Sequence, residues 1–143
     1  MGLVSAIKKI REVLIVDGLP ELIVGINASF QSSPFPFFYM DVGEITSEYG
    51  ALVANYETTT LSHTTLVFGV HIDNLPAGHE WALWPIEVAE SIKEKIMLET
   101  RNRTWEQDGS MGFEAKIVSS KIEFDQTDAM AMCAMVLEIG AYQ

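Results

Sequence analysis

The stretch AMAMCAMVLEIGA, residues 129–141, carries one charge in thirteen positions and is apolar at odd and even positions alike. Met130, Met132, Ala134 and Val136 alternate with Ala131, Cys133, Met135 and Leu137. In an extended chain successive side chains point to opposite faces, so such a strand has no face suited to water. A membrane-spanning helix needs about 20 apolar residues, and no run in this chain approaches that. Two readings stand: a central strand covered on both faces, or a strand whose second face meets another subunit.

The rest of the chain supplies the neighbours. FEAKIVSSKIEF, residues 113–124, precedes the run across the polar DQTD, and the pair reads as a closing antiparallel hairpin. In FFYMDVGEI, residues 37–45, Phe38, Met40 and Val42 face one way and Phe37, Tyr39 and Asp41 the other, a strand with one core face. From Thr58 to Asp73, Leu66, Phe68, Val70 and Ile72 alternate with Val67, Gly69, His71 and Asp73, a long strand. ALVANY, residues 51–56, is either a short strand or a connection.

Two segments have helical spacing. Leu3, Ile7, Ile10 and Leu14 recur at three- and four-residue intervals before Gly18, predicting a helix over 3–16. Pro85 fits a first helical turn, Val88, Ile92 and Ile96 form a stripe, and Arg101 and Arg103 suit a C-terminal end, predicting a helix over about 85–102. Leu19–Ser33 breaks around Pro20 and Gly25 and reads as an ordered loop with room for a short strand. The expected fold is α+β over residues 1–143 as one domain. It is an antiparallel sheet, mixed pairing allowed, of four to five strands with two helices packed on one face, in the order α-β-β-α-β-β.

With 143 residues, 48% of them hydrophobic, the chain can bury roughly two thirds of its unfolded surface without a disulfide or metal. Its one cysteine, Cys133, has no internal partner and sits in an apolar run, which points to a buried thiol in a reducing, cytoplasmic setting. MGLVSAIKKIREVL lacks the pattern of a secretory signal. Ala6 stands where a myristoylation motif wants a small hydroxyl. Twenty acidic against nine basic residues, a net charge of −11, disfavours tight phosphate binding. That charge is either a solvated surface that aids solubility or one that must not adhere to nearby DNA.

Candidate chemistry centres on LVFGVHIDNLPAGHEW, residues 66–81, which gathers His71, Asp73, His79 and Glu80. A metal- or small-molecule-binding site using His71, Asp73 and His79 is one reading. The other is a strand whose His71 decorates the non-core face, followed by a loop, and the absence of an H-x-x-x-H or H-E-x-x-H frame favours it. Ser62 and His63 point to opposite faces of a strand and form no dyad. Glu44 and Glu48 are a carboxylate pair of a kind common in acidic chains. Neither a nucleophile elbow nor a phosphate loop nor a dinucleotide fingerprint occurs. The expectation is a non-enzyme with no cofactor and no metal.

Contact surface is the remaining theme. Trp81 and Trp84 flank the entry to the second helix, Leu75 lies in the preceding loop, and Phe30, Phe35 and Phe37 crowd a proline-rich approach to the first strand. Aromatics in connections either anchor an interface or pack beneath their own loop.

The order of an amphipathic first helix, a strand like PFFYMDVGEI, a long strand ending in LVFGVHID, a helix like PIEVAESIKEKI and a hairpin ending in AMVLEI resembles the tail terminator, or tail completion, proteins of long-tailed bacteriophages and of contractile tail-like particles. The likeness spans Leu3 to Tyr142 and lies in pattern and order. It implies a homo-oligomeric ring, usually of six subunits, in the virion tail, assembled in the host cytoplasm. The ring caps the tail tube, ends tube polymerisation and joins the tail to the neck or head-tail connector protein. DNA would cross the channel without specific binding, and no membrane is involved. In that setting Phe30, Phe35, Phe37, Leu75, Trp81 and Trp84 are the candidate oligomer or tube interface. Asp41, Glu44, Glu48 and Asp73 are candidates for an acidic lumen. Another neck or head-completion protein is the alternative within the same class.

Overall fold

The computed structural model describes residues 2–25, 36–49, 58–102 and 113–142. Its elements are α1 (Leu3–Val13), β1 (Ile23–Val24), β2 (Phe37–Tyr49), β3 (Thr58–His71), α2 (Trp84–Asn102), β4 (Phe113–Asp125) and β5 (Met130–Tyr142), with a 3-10 turn at Ile72–Asn74 after β3. The class is α+β: among the described residues there are two helices and a five-stranded mixed sheet in the spatial order β1-β2-β3-β5-β4. All pairings are antiparallel except β1 with β2.

β5 takes the position that its apolar sequence demands, flanked by β3 and β4 over its length. Its two faces are not equally covered. Cys133, Met135, Leu137 and Ile139 are fully buried, whereas Met132, Ala134 and Val136 on the opposite face are half-buried. The core face continues in register across the sheet, Phe38 opposite Phe68 and then Cys133, Met40 opposite Leu66 and then Met135. One buried cluster joins these residues to Ala6, Ile7 and Ile10 of α1 and to Val88, Ala89, Ile92 and Ile96 of α2. A second, smaller cluster of Phe37, Tyr39 and Met130, with Val67 and Met132 against it, lies on the other face. The prediction of a single core face for β2 is therefore corrected, because Phe37 and Tyr39 are buried as well.

α1 ends at Val13, three residues short of the predicted bound. The β-branched Ile15 and Val16 hold helical dihedrals poorly. The non-helical chain after Val13 buries Leu14 and Val16 and leaves Ile15 outside. Gly18, with φ +87°, makes the turn that follows. The loop predicted after α1 does contain a short strand, β1, whose Ile23 and Val24 pair with Tyr39 and Met40. ALVANY lies outside the described residues.

β2 and β3 slip register between Val42 and Ile45. The bulge carbonyl of Gly43 accepts a hydrogen bond from the buried Ser62 hydroxyl at 3.0 Å, and Ser62 shares a second one with Thr64 at 3.1 Å. These two fully buried hydroxyls thus satisfy each other and the irregular backbone beside them.

Candidate functional site

The aromatic candidates separate. Trp84, predicted to be contact surface, is 1% exposed and meets Phe68 edge-on at 5.7 Å between ring centroids. It is core, because it sits one helical step before Val88 on the stripe 84-88-92-96. Leu75 is half-buried and packs on the same core. Phe37 is buried in the cluster on the opposite sheet face, stacked with Tyr39 at 6.1 Å. Of the candidates whose surroundings are described, Trp81 alone keeps a partly open ring, tilted against Phe124 at 5.8 Å. Phe30 and Phe35 lie outside the described residues. The described four form no common patch.

The carboxylate candidates are also dispersed. Asp41 is half-buried on β2 beside Tyr39, whose hydroxyl is pushed to a higher pKa by burial and then by the Asp41 charge. Glu44 is exposed in the bulge. Glu48 pairs in backbone register with Thr59, and its side chain is outside the described part. Asp73 is exposed in the 3-10 turn. Val42 is opposite Thr64 and the strand runs seven residues further to His71, so Glu44 and Asp73 are separated by more than about 20 Å along the sheet. Within one subunit they make no shared acidic centre.

Each imidazole has its own carboxylate. The backbone N–H of Asp73 donates to Nδ1 of His71 at 3.1 Å, with the Asp73 carboxylate 3.5 Å from the same nitrogen. His79 Nδ1 lies 2.9 Å from Glu87, and His63 Nε2 lies 3.0 Å from Glu138. Glu80 is exposed in the turn before α2. Among the described residues no three His, Cys, Asp or Glu side chains are grouped to hold a metal ion. Ser62 and His63 do point to opposite faces, one buried and one half-exposed.

His63, Glu138 and Lys116 form a row across β3, β5 and β4, which their register predicts. The hydrogen bond from His63 holds the Glu138 carboxyl below its ordinary value of 4.5; burial opposes it, and the Lys116 ammonium at 3.5 Å adds a further lowering. A carboxylate with a depressed folded pKa stabilises the fold fully above the unfolded value and loses that contribution as the pH falls through the folded one. The stability difference between the parent and a Glu138→Gln variant is therefore expected to shrink as the pH drops below 4.5. Urea denaturation across an acid pH series checks this; a constant difference would refute it.

Cys133 is fully buried, and burial pushes its thiol up to about 11, partly opposed by the Lys93 charge and a backbone hydrogen bond from Lys121. A thiol so placed is a poor nucleophile at neutral pH. Labelling by a disulfide reagent at pH 8 is expected to require opening of the fold, and to accelerate in proportion to the unfolded fraction as urea is added. Rapid stoichiometric labelling in buffer would contradict the burial.

Sequence reasoning passed over Phe124 and Ile72. With Trp81, Ala82, Gln126 and Ala129 they line an open, mainly apolar groove of about 350 Å³ at the end of the sheet. Phe124 shares the face of Ile122 and lies opposite Ala131. The alternation was readable, but which core-face residues escape cover was not. Among the described residues no helix is long and apolar enough to cross a membrane. No family model matches the chain, and no curated protein matches it in sequence.

Proposed function

We propose that this chain is a structural subunit that closes into a ring, of about six copies, on the head-proximal end of a phage tail tube, ends tube growth and joins the tail to the neck. The observation that carries the reading is the second face of the sheet. There Val67, Met132, Ala134 and Val136 are half-buried apolar side chains on the two central strands, bordered by Asp41 and by the charged row His63–Glu138–Lys116. An apolar centre within a polar rim is the anatomy of an interface. The reading takes both helices to lie on the other face, an arrangement supported by the single buried cluster they share with the sheet. Resemblance in element order contributes the tail tube and neck as partners.

Contacts, not a reaction, perform this function. A heterologous contact between copies generates a closed ring when its rotation divides a full turn. Carboxylates such as Asp41, Glu44, Glu48 and Asp73, brought together from several copies, would repel phosphate across a channel over the roughly 8 Å that physiological salt leaves unscreened.

The test is to add the protein to polymerising tail-tube subunits and examine the products by electron microscopy. Shortened tubes with extra density at one end are expected, with native mass spectra near six times 15.9 kDa. Unchanged tubes would overturn the tube-capping role, and binding to a head connector without tube binding would instead make the chain a neck or head-completion protein.

A further inference from the structure

Two exposed helical stripes carry matching patterns of opposite charge. On α1, Val4, Lys8 and Arg11 follow one another at intervals of four and three residues, and the exposed Ile15 comes two residues after the helix ends at Val13. On α2, Ile86, Glu90, Glu94 and Met97 follow at four, four and three. Each stripe is apolar at both ends and charged between. Val4 is 66% exposed, Ile15 75%, Ile86 40% and Met97 52%, and the four charged residues are exposed too.

Among the described residues Lys8, Arg11, Glu90 and Glu94 have no ion-pair partner. Glu90 and Glu94 are four apart on one helix, with Glu87 three residues before Glu90, and Lys8 and Arg11 are three apart on the other. Like charges at these spacings repel, and the opposite charges of Glu12, four residues after Lys8, and Lys93, three after Glu90, offset only part of that repulsion because neither forms an ion pair among the described residues. A cation stripe set on a carboxylate stripe relieves both repulsions, while the flanking apolar residues leave water. The basic strip and the carboxylate strip are complementary in sign, and every copy of the chain carries both.

We infer that the Val4–Lys8–Arg11–Ile15 stripe of one subunit docks on the Ile86–Glu90–Glu94–Met97 stripe of the next. Two different surfaces meet, so the contact is heterologous and propagates around a ring when the two stripes of a subunit engage different neighbours, and stops at a two-fold dimer when both engage the same one. The inference rests on the ring reading above, names the surfaces that close the ring, and leaves the apolar second face of the sheet to the contact with the tail tube.

Charge exchange tests it in the full-length protein. Lys8→Glu with Arg11→Glu gives a chain with two acidic stripes, and Glu90→Lys with Glu94→Lys gives one with two basic stripes. Each variant alone is expected to self-associate at least tenfold more weakly than the parent in sedimentation over a concentration series. An equimolar mixture is expected to recover assembly, with the two variants alternating, and that recovery should weaken with salt. Circular dichroism and thermal melting confirm that each variant is folded. A general effect of net charge predicts the reverse for the basic variant, which is less negative than the parent and would associate better.

The inference is overturned if both variants assemble like the parent, or if the mixture does not recover. It is equally overturned if the parent stays monomeric at the highest concentration reached. Rings that form regardless of the exchanges leave the ring reading intact and remove only these surfaces, whereas the tube-capping assay judges that reading separately.

Discussion

Replacing Trp84 by alanine is expected to lower the stability by about 3–5 kcal/mol, the range for a large aromatic side chain removed from a packed interior. Trp84 is buried between the first turn of α2 and the core face of the sheet, and its ring meets Phe68, which in turn meets Phe38 edge-on at 6.5 Å. Truncation removes the apolar area of the indole and leaves a void that Phe68 cannot fill without abandoning Phe38. Urea unfolding gives the loss directly as a fall in midpoint at constant slope. Trp81→Ala is the natural control, because that ring is partly open and rests on the half-exposed Phe124; its cost should stay near 1 kcal/mol. If Trp84→Ala instead left stability unchanged while abolishing assembly, the ring would have to be an interface anchor and its burial in the core would be wrong.

The same residue shows what the sequence disclosed and what it withheld. Helical spacing at 88, 92 and 96 marked the buried stripe of α2, and continuing it back by four reaches Trp84. With Pro85 as the first helical position, the sequence pattern leaves the indole in the preceding loop. The chain already enters the helix at Trp84, whose N–H reaches the Glu80 carbonyl at 2.9 Å. Alternation located β3 to within two residues, since a half-buried strand writes its period directly into the chain, and the polar DQTD between two strand-like runs located β4 and β5 to within one. Two residues carry no period, so β1 could be no more than a possibility. Partners across the sheet were not legible either. His63 and Glu138 are 75 positions apart and meet only because β3 and β5 pair in one particular register. The opposing stripes of α1 and α2 were present in the sequence as letters, but their exposure became evident only when the core had claimed the other helical faces.

Gly69→Ala is expected to cost about 2–3 kcal/mol, the upper part of the range for overpacking, even though alanine loses less backbone entropy than glycine on folding. Gly69 is opposite Phe37 on β2 and Met132 on β5. A Cβ there would stand 2.6 Å from Phe37 Cζ, 2.9 Å from Met132 Cγ and 3.0 Å from the Ala131 carbonyl oxygen. Phe37 Cζ ends its side chain and Met132 Cγ belongs to a flexible one, so both can retreat, but Phe37 retreats only by leaving its stack on Tyr39, and the carbonyl belongs to the interior strand β5. This close approach explains why Phe37, a candidate for subunit contact, is buried within its own chain: the missing side chain at position 69 is the space its ring fills. A double-mutant cycle isolates that contact. In a Phe37→Ala background the cost of Gly69→Ala should fall by about 1 kcal/mol or more, because the closest clash has gone. Equal costs in the two backgrounds would place the strain in the backbone of β5 and leave Phe37 free to serve another surface.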